Sequence, residues 1–131
     1  TDVSKEALQV AAQNALRHAA AVTFKEQNLL QGDREGYDVI LANLPYVPTQ
    51  VESDPSIASE PPEALFSGPD GLEHYRRFFT QLEPKHIRYV LTESLVTQHN
   101  DLEQLAHKAG YELTATEGLV QLFSKVIPDT F

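Results

Sequence analysis

Residues Val39-Ile40-Leu41-Ala42 form an unbroken apolar run that follows Asp38 and stops at Asn43-Leu44-Pro45-Tyr46. A continuous apolar run of this kind is the pattern of a strand covered on both faces, which occurs within parallel sheets. We therefore expect a strand over Tyr37 to Ala42 inside an α/β sheet.

The surrounding pattern supports that class. Ser4 is placed to cap a helix from Lys5 to about His18, with Leu8, Ala11, Ala12, Ala15 and Leu16 at three- and four-residue spacing. Val22-Thr23-Phe24 reads as a short strand. The stretch from Thr49 to Asp70 is rich in proline and acids, with little periodicity, and reads as a long ordered loop or lid. Leu72, Tyr75, Phe78, Phe79 and Leu82 mark one helical face stopped by Pro84, and a strand follows over Ile87 to Thr92. Asn100 or Asp101 is expected to cap a helix that ends at Gly110. Tyr111 to Thr116 and Val120 to Val126 are strands joined at Gly118, a connection so short that the pair must be antiparallel. Alternation of helix and strand ending in a hairpin predicts one α/β domain over residues 1–131, with an antiparallel last strand.

The totals narrow the function. With 19 acidic against 10 basic side chains, the net charge of −9 disfavours a nucleic-acid partner. There is no cysteine for a disulfide, a thiolate zinc site or a thiol nucleophile. The five histidines are scattered without metal-site spacing, so no metal is expected. No apolar run reaches membrane-spanning length, and a cytoplasmic location is the default.

In open α/β sheets, ligands bind beyond the carboxyl ends of the strands. Asp2, Asn28, Asn43 to Tyr46, and Glu93 occupy such places. Asn43-Leu44-Pro45-Tyr46 is the most specific of them. Amide and planar amine nitrogens are poor nucleophiles, and acceptors for their N–H protons help free the lone pair. The Asn43 side-chain oxygen and an adjacent main-chain carbonyl can supply two such acceptors. Pro45 holds Leu44 extended and helps aim its carbonyl outward, while Tyr46 can cover the flat face of the target group. A strand-ending proline turn is the plain structural reading of the same residues. An acid such as Asp2 can bind both hydroxyls of a ribose, or simply favour the start of a helix.

Taken together, these segments resemble the HemK-type protein-(glutamine N5) methyltransferases, which act on peptide release factors. Tyr37-Asp38-Val39-Ile40 leading into Asn43-Leu44-Pro45-Tyr46 looks like that family's strand and its Asn-Pro-Pro-Tyr motif. Glu60-Pro61, Ala64-Leu65, Asp70-Gly71-Leu72 and Tyr75-Arg76 look like the stretch beyond it. The resemblance implies a Rossmann-like class I methyltransferase sheet with S-adenosyl-L-methionine as cofactor. It implies that Asn43, Leu44, Pro45 and Tyr46 are catalytic, and that Asp2, Asn28, Leu29 and Asn43 bind the cofactor. It also implies a protein substrate, a release-factor loop carrying a glutamine. Leu44 stands where the motif's first proline is common, and Asn28 where an Asp is common.

The family's first strand, its Gly-rich turn and most of the second strand have no counterpart in these 131 residues. The expectation is that an upstream segment, or a second copy in a dimer, pairs with the open edge of the Tyr37 strand. Residues 1–131 alone are then expected to bind the cofactor weakly. Asn-Leu-Pro-Tyr also resembles the motif of ribosomal-RNA adenine dimethyltransferases, which the −9 charge and the Glu60 to Leu72 stretch disfavour. A catalytically incomplete remnant acting as a binding module is the remaining alternative.

Overall fold

The computed structural model describes residues 1–51, 55 and 59–127. They fall into two compact units, Thr1–Arg34 and Glu35–Phe131.

The first unit holds one helix, α1 (Lys5–Arg17), capped by Ser4, whose side chain accepts from the Ala7 N–H at 3.1 Å. The cap satisfies one of the donors that the first turn leaves unpaired. Leu8, Ala11, Ala12 and Ala15 form the half-buried stripe. Leu16, expected on that stripe, is 83% exposed. Eight positions beyond Leu8, it lies about 80° around the helix from it. Val22-Thr23-Phe24 is not a strand. Pairing starts only at Glu26, which makes an isolated parallel bridge to Asp2. β-propensity alone does not make a strand where no neighbour takes the backbone hydrogen bonds.

The second unit is built on four strands in the order β1-β2-β4-β3. They are β1 (Val39–Ala42), β2 (Tyr89–Glu93), β3 (Tyr111–Glu117) and β4 (Val120–Lys125). β1 and β2 are parallel, and β4 is antiparallel to β2 and, as the short Gly118 turn requires, to β3. The helices are α2 (Pro62–Leu65), α3 (Glu73–Leu82) and α4 (His99–Lys108).

The core lies where α3 and α4 meet one face of this sheet. Tyr75, Phe78, Phe79 and Leu82 of α3 are buried, as the periodicity predicts, together with Leu102 and Ala106 of α4. Phe79 meets Phe123 of β4 edge to face at 6.1 Å, a favoured aromatic geometry. Val90 of β2 sits opposite Phe123 in register and is fully buried.

Three details differ from the expectations. β1 lies at the sheet's edge, as expected where the first strand has no counterpart, but one of its faces is open, with Val39 and Leu41 46% and 77% exposed instead of covered. The Tyr89 N–H donates to the Asp38 carbonyl, so by alternation the backbone groups of Val39 and Leu41 point away from β2. Among the described residues no strand pairs with that edge. Second, α4 starts at His99, not after Asn100 or Asp101, because a 3-10 turn over Val96–Gln98 runs straight into it. The turn's own bonds, from Gln98 N–H to Leu95 O and from His99 N–H to Val96 O, engage donors that a side-chain cap would otherwise meet. Third, the loop from Thr49 to Asp70 folds back on the chain before it. Val47 bridges Phe66, Ser67 N–H donates to Val47 O at 3.0 Å, and Thr49 N–H donates to Gly68 O at 2.9 Å. Residues 52–54 and 56–58 of that loop lie outside the described ones.

One ammonium ties the helix ends together. Lys125 Nζ donates to the carbonyls of Glu83 and Ala109, the residues that end α3 and α4, and lies 4.6 Å over the Tyr111 ring. Positive charge is favoured at both positions, where unpaired carbonyls gather. Lys125→Met keeps the apolar stem and removes the charge. It is expected to cost about 1–2 kcal/mol, since hydrogen bonds to a charged donor are worth somewhat more than neutral ones. A denaturant midpoint equal to the parent's would contradict this.

Candidate active site

Parallel pairing brings the carboxyl ends of β1 and β2 to one edge, with Ala42 opposite Thr92. The next residues are Asn43, which is exposed, and Glu93, the last of β2. Leu44, Pro45 and Tyr46 follow, all half-buried. The four residues of the expected catalytic loop therefore start where the sheet's parallel part ends.

The loop is held from three sides. At its start, the fully buried Tyr75 hydroxyl lies 2.8 Å from Ala42 O and 2.7 Å from Glu93 O, and it accepts the Glu93 N–H at 3.2 Å. A phenol has one proton, so it donates to one of the two carbonyls at a time while its oxygen accepts from the Glu93 amide. Burial, ahead of every other influence, raises the Tyr75 pKa well above the usual phenol range, so the hydroxyl keeps its proton.

In the middle, the Tyr46 hydroxyl donates to Glu93 Oε1 at 2.9 Å. Burial raises the Tyr46 pKa, and the hydrogen bond to Glu93 and the charges of Glu93 and Glu60 add to the rise. Tyr46 is thus a protonated phenol beside two carboxylates. At the loop's end, the Tyr46 carbonyl accepts from Gln98 Nε2 at 2.9 Å.

Gly71 closes the same corner. Its φ is +78°, and a Cβ built there would lie 2.1 Å from the Tyr46 carbonyl oxygen and 2.5 Å from Gln98 Nε2. Only glycine fits both the backbone conformation and the space. Asp70 before it pairs with Arg76, which holds its carboxyl below the usual range.

The expected cofactor residues Asp2, Asn28 and Leu29 belong to the first unit. The bridge there brings Asp2 beside the chain that leads to Asn28, with Gln27 N–H donating to Asp2 O at 2.9 Å. Asp2 Oδ1 accepts from the Ser4 N–H at 2.8 Å, the helix-start role open to an acid there. Asn28 is exposed and its carbonyl starts a turn, within which Leu29 has φ +55°.

Sequence reasoning passed over Tyr75, Gly71 and Gln98 as parts of this site and gave Glu93 little weight. Tyr75 carried a usable signal, because a tyrosine on a helix's core stripe must find a partner for its hydroxyl. Gln98 carried none, since its two carbonyl partners lie 52 and 28 positions away. The open depression between α4 and β3, lined by Glu103, His107, Tyr111 and Glu112 among others, contains none of the expected site residues. Among the described residues no acid and histidine cluster could hold a metal ion, and no helix is long and apolar enough to cross a membrane.

No family model matches the chain. It is similar to proteins named release factor glutamine methyltransferase. The one from Chlamydia trachomatis serovar D is 34% identical over 93% of this chain and 44% of its own length. The one from Xylella fastidiosa is 36% identical over 88% of this chain and 44% of its own length. A third, from Deinococcus radiodurans, is 40% identical over 56% of this chain and 27% of its own length. The chain thus spans less than half the length of these relatives. A crystal structure of a ribosomal protein L11 methylase from Lactobacillus delbrueckii subsp. bulgaricus superposes with a TM-score of 0.66 at 16% identity, over 95% of this chain and 55% of that one. That likeness shows the fold, a Rossmann-like α/β sheet, in which β1 and β2 are parallel and β3 and β4 form an antiparallel hairpin. Over most of its length the chain thus resembles the release factor glutamine methyltransferases, matching under half of each.

Proposed function

We propose that this chain is part of a single methyltransferase domain that uses S-adenosyl-L-methionine to methylate the side-chain amide nitrogen of a glutamine in a protein such as a peptide release factor. The observation that carries the reading is the exposed Asn43 carboxamide directly after β1, in a loop braced by Tyr75, Glu93 and Gln98.

The nucleophile is an amide nitrogen whose lone pair is spread into its carbonyl. Asn43 Oδ1 and the Leu44 carbonyl accept its two N–H protons, which orients the nitrogen and raises its electron density as the new bond forms. Tyr46 covers the flat face of the amide, and its own hydroxyl is occupied by Glu93. When bound, the cofactor supplies an electrophilic methyl on a sulfonium. The amide nitrogen would take that methyl and give up one proton to solvent, with Asn43 and Leu44 holding it in place. In the first unit the donor set of Asp2 carboxylate, Asn28 carboxamide and apolar Leu29 fits the nucleoside end of such a cofactor, with Asp2 toward the ribose and Asn28 and Leu29 toward the adenine.

The acceptor is expected to be protein rather than nucleic acid. Two carboxylates, Glu60 and Glu93, act on Tyr46, and the chain carries −9 overall, so a phosphate chain would be repelled at the point of transfer. In the full natural polypeptide, labelled methyl should pass to a release factor and not to adenine-containing RNA or DNA, at a rate insensitive to moderate salt. Transfer to the oligonucleotide, falling steeply with salt, would turn the reading to the adenine-directed enzyme.

A further inference from the structure

We propose that Gln98 is a positioning residue for methyl transfer, fixing the far end of the Asn43 to Tyr46 loop through its carboxamide. The proposal rests on the function proposed above and adds a residue to it.

Gln98 is 5% exposed. Its Nε2 donates to Tyr46 O and to Asp70 O, both at 2.9 Å, and its Oε1 accepts the Leu95 N–H at 2.9 Å. Both amide protons and one oxygen lone pair are thus used within the protein. Two carbonyl oxygens converging on one point need a group with two N–H protons between them, and among uncharged side chains only a carboxamide offers that with an acceptor on the same carbon. A hydrocarbon here leaves two carbonyls and one N–H without their partner. A carboxylate sets negative oxygen against both carbonyls.

The loop ends on the carbonyl that Gln98 holds. Its start is fixed by Tyr75 at Ala42, and its ring by Glu93. With the Gln98 contact gone, the peptide after Tyr46 is held only through the Val47 N–H, which donates to Leu65 O at 2.8 Å, so the Tyr46 carbonyl can tilt and the spacing of the Leu44 carbonyl and Asn43 carboxamide loosens. A misplacement of about 1 Å at a reacting group can cost on the order of a hundredfold in rate. The residues proposed for the nucleoside end of the cofactor, Asp2, Asn28 and Leu29, are not among those Gln98 bonds.

The test compares Gln98→Leu and Gln98→Glu with the parent in the full natural polypeptide, with a release factor as methyl acceptor. Gln98→Leu is expected to lower kcat about tenfold or more, with S-adenosylmethionine affinity by calorimetry within about twofold of the parent. Gln98→Glu should be equally slow at neutral pH. Its rate relative to the parent should recover as pH falls, because the protonated carboxyl again donates to one of the two carbonyls. Parental kcat in both variants, with only a lowered unfolding midpoint, overturns the proposal. If Gln98→Leu does not fold, the pH-linked recovery of Gln98→Glu decides in its place. If the parent transfers no methyl at all, the proposed function fails separately, and crystal structures of the parent and Gln98→Glu decide the positioning role. A displaced Asn43 to Tyr46 backbone supports it, and an unchanged one overturns it.

Discussion

Asn43→Ala is expected to raise the barrier to methyl transfer by roughly two to four kcal/mol, the effect of losing one preorganised hydrogen-bonding group at a reacting centre. Stability should hardly change. Asn43 is exposed and lies just past β1, so its carboxamide contributes nothing to the core. Truncating an exposed polar side chain away from caps and special backbone conformations generally costs within about 0.5 kcal/mol. The separation of the two effects is what marks a residue as functional. Because Asn43 Oδ1 acts on the nucleophile as its bond to carbon forms, kcat should fall more than the acceptor's KM rises. Single-turnover rates and a denaturation curve on the same preparation check it, and a variant at the parental rate would sink the mechanism.

The second large effect is expected at Gly71. A Cβ there meets the Tyr46 carbonyl oxygen at 2.1 Å, and that neighbour is backbone, which cannot swing aside as a side chain can. The left-handed backbone adds about 1–2 kcal/mol for any residue with a Cβ. Relief of the overlap must push the Tyr46 carbonyl or the Gly71 turn out of place, a further cost of about 1–3 kcal/mol. Gly71→Ala should therefore destabilise the protein by about 2–5 kcal/mol and also slow transfer, since the displaced carbonyl ends the catalytic loop. Gly118 is the control. Its φ is +56° with nothing within 4 Å of a built Cβ, so Gly118→Ala should cost only the backbone share and leave transfer alone. Equal losses at the two glycines, read from urea midpoints, would contradict the steric account.

How much was legible in the sequence follows the range of the interactions. The α3 stripe could be read because its period is local and its aromatic residues are large. The Ser4 cap and the positive-φ glycines at 110 and 118 could be read because each meets a need of its own turn. The motif at Asn43 could be read because proline and tyrosine beside a strand end form a compact chemical pattern. Val22 to Phe24 was misread because strand formation depends on a neighbour, which composition does not reveal. The exposure of Leu41 was missed because an apolar run does not show that something covers each face of its strand. Tyr75, Gln98 and Gly71 converge on the loop from positions remote in sequence, and no spacing rule brings them together.

The central claim is that this loop presents acceptors to a side-chain amide nitrogen. The direct measurement is fragmentation mass spectrometry of a release factor after incubation with the full natural polypeptide and S-adenosylmethionine. The account predicts one added methyl on the amide nitrogen of a single glutamine, absent when Asn43→Ala is used for the same time. A methyl on a lysine, an arginine or the main chain, or equal methylation by Asn43→Ala, would contradict it.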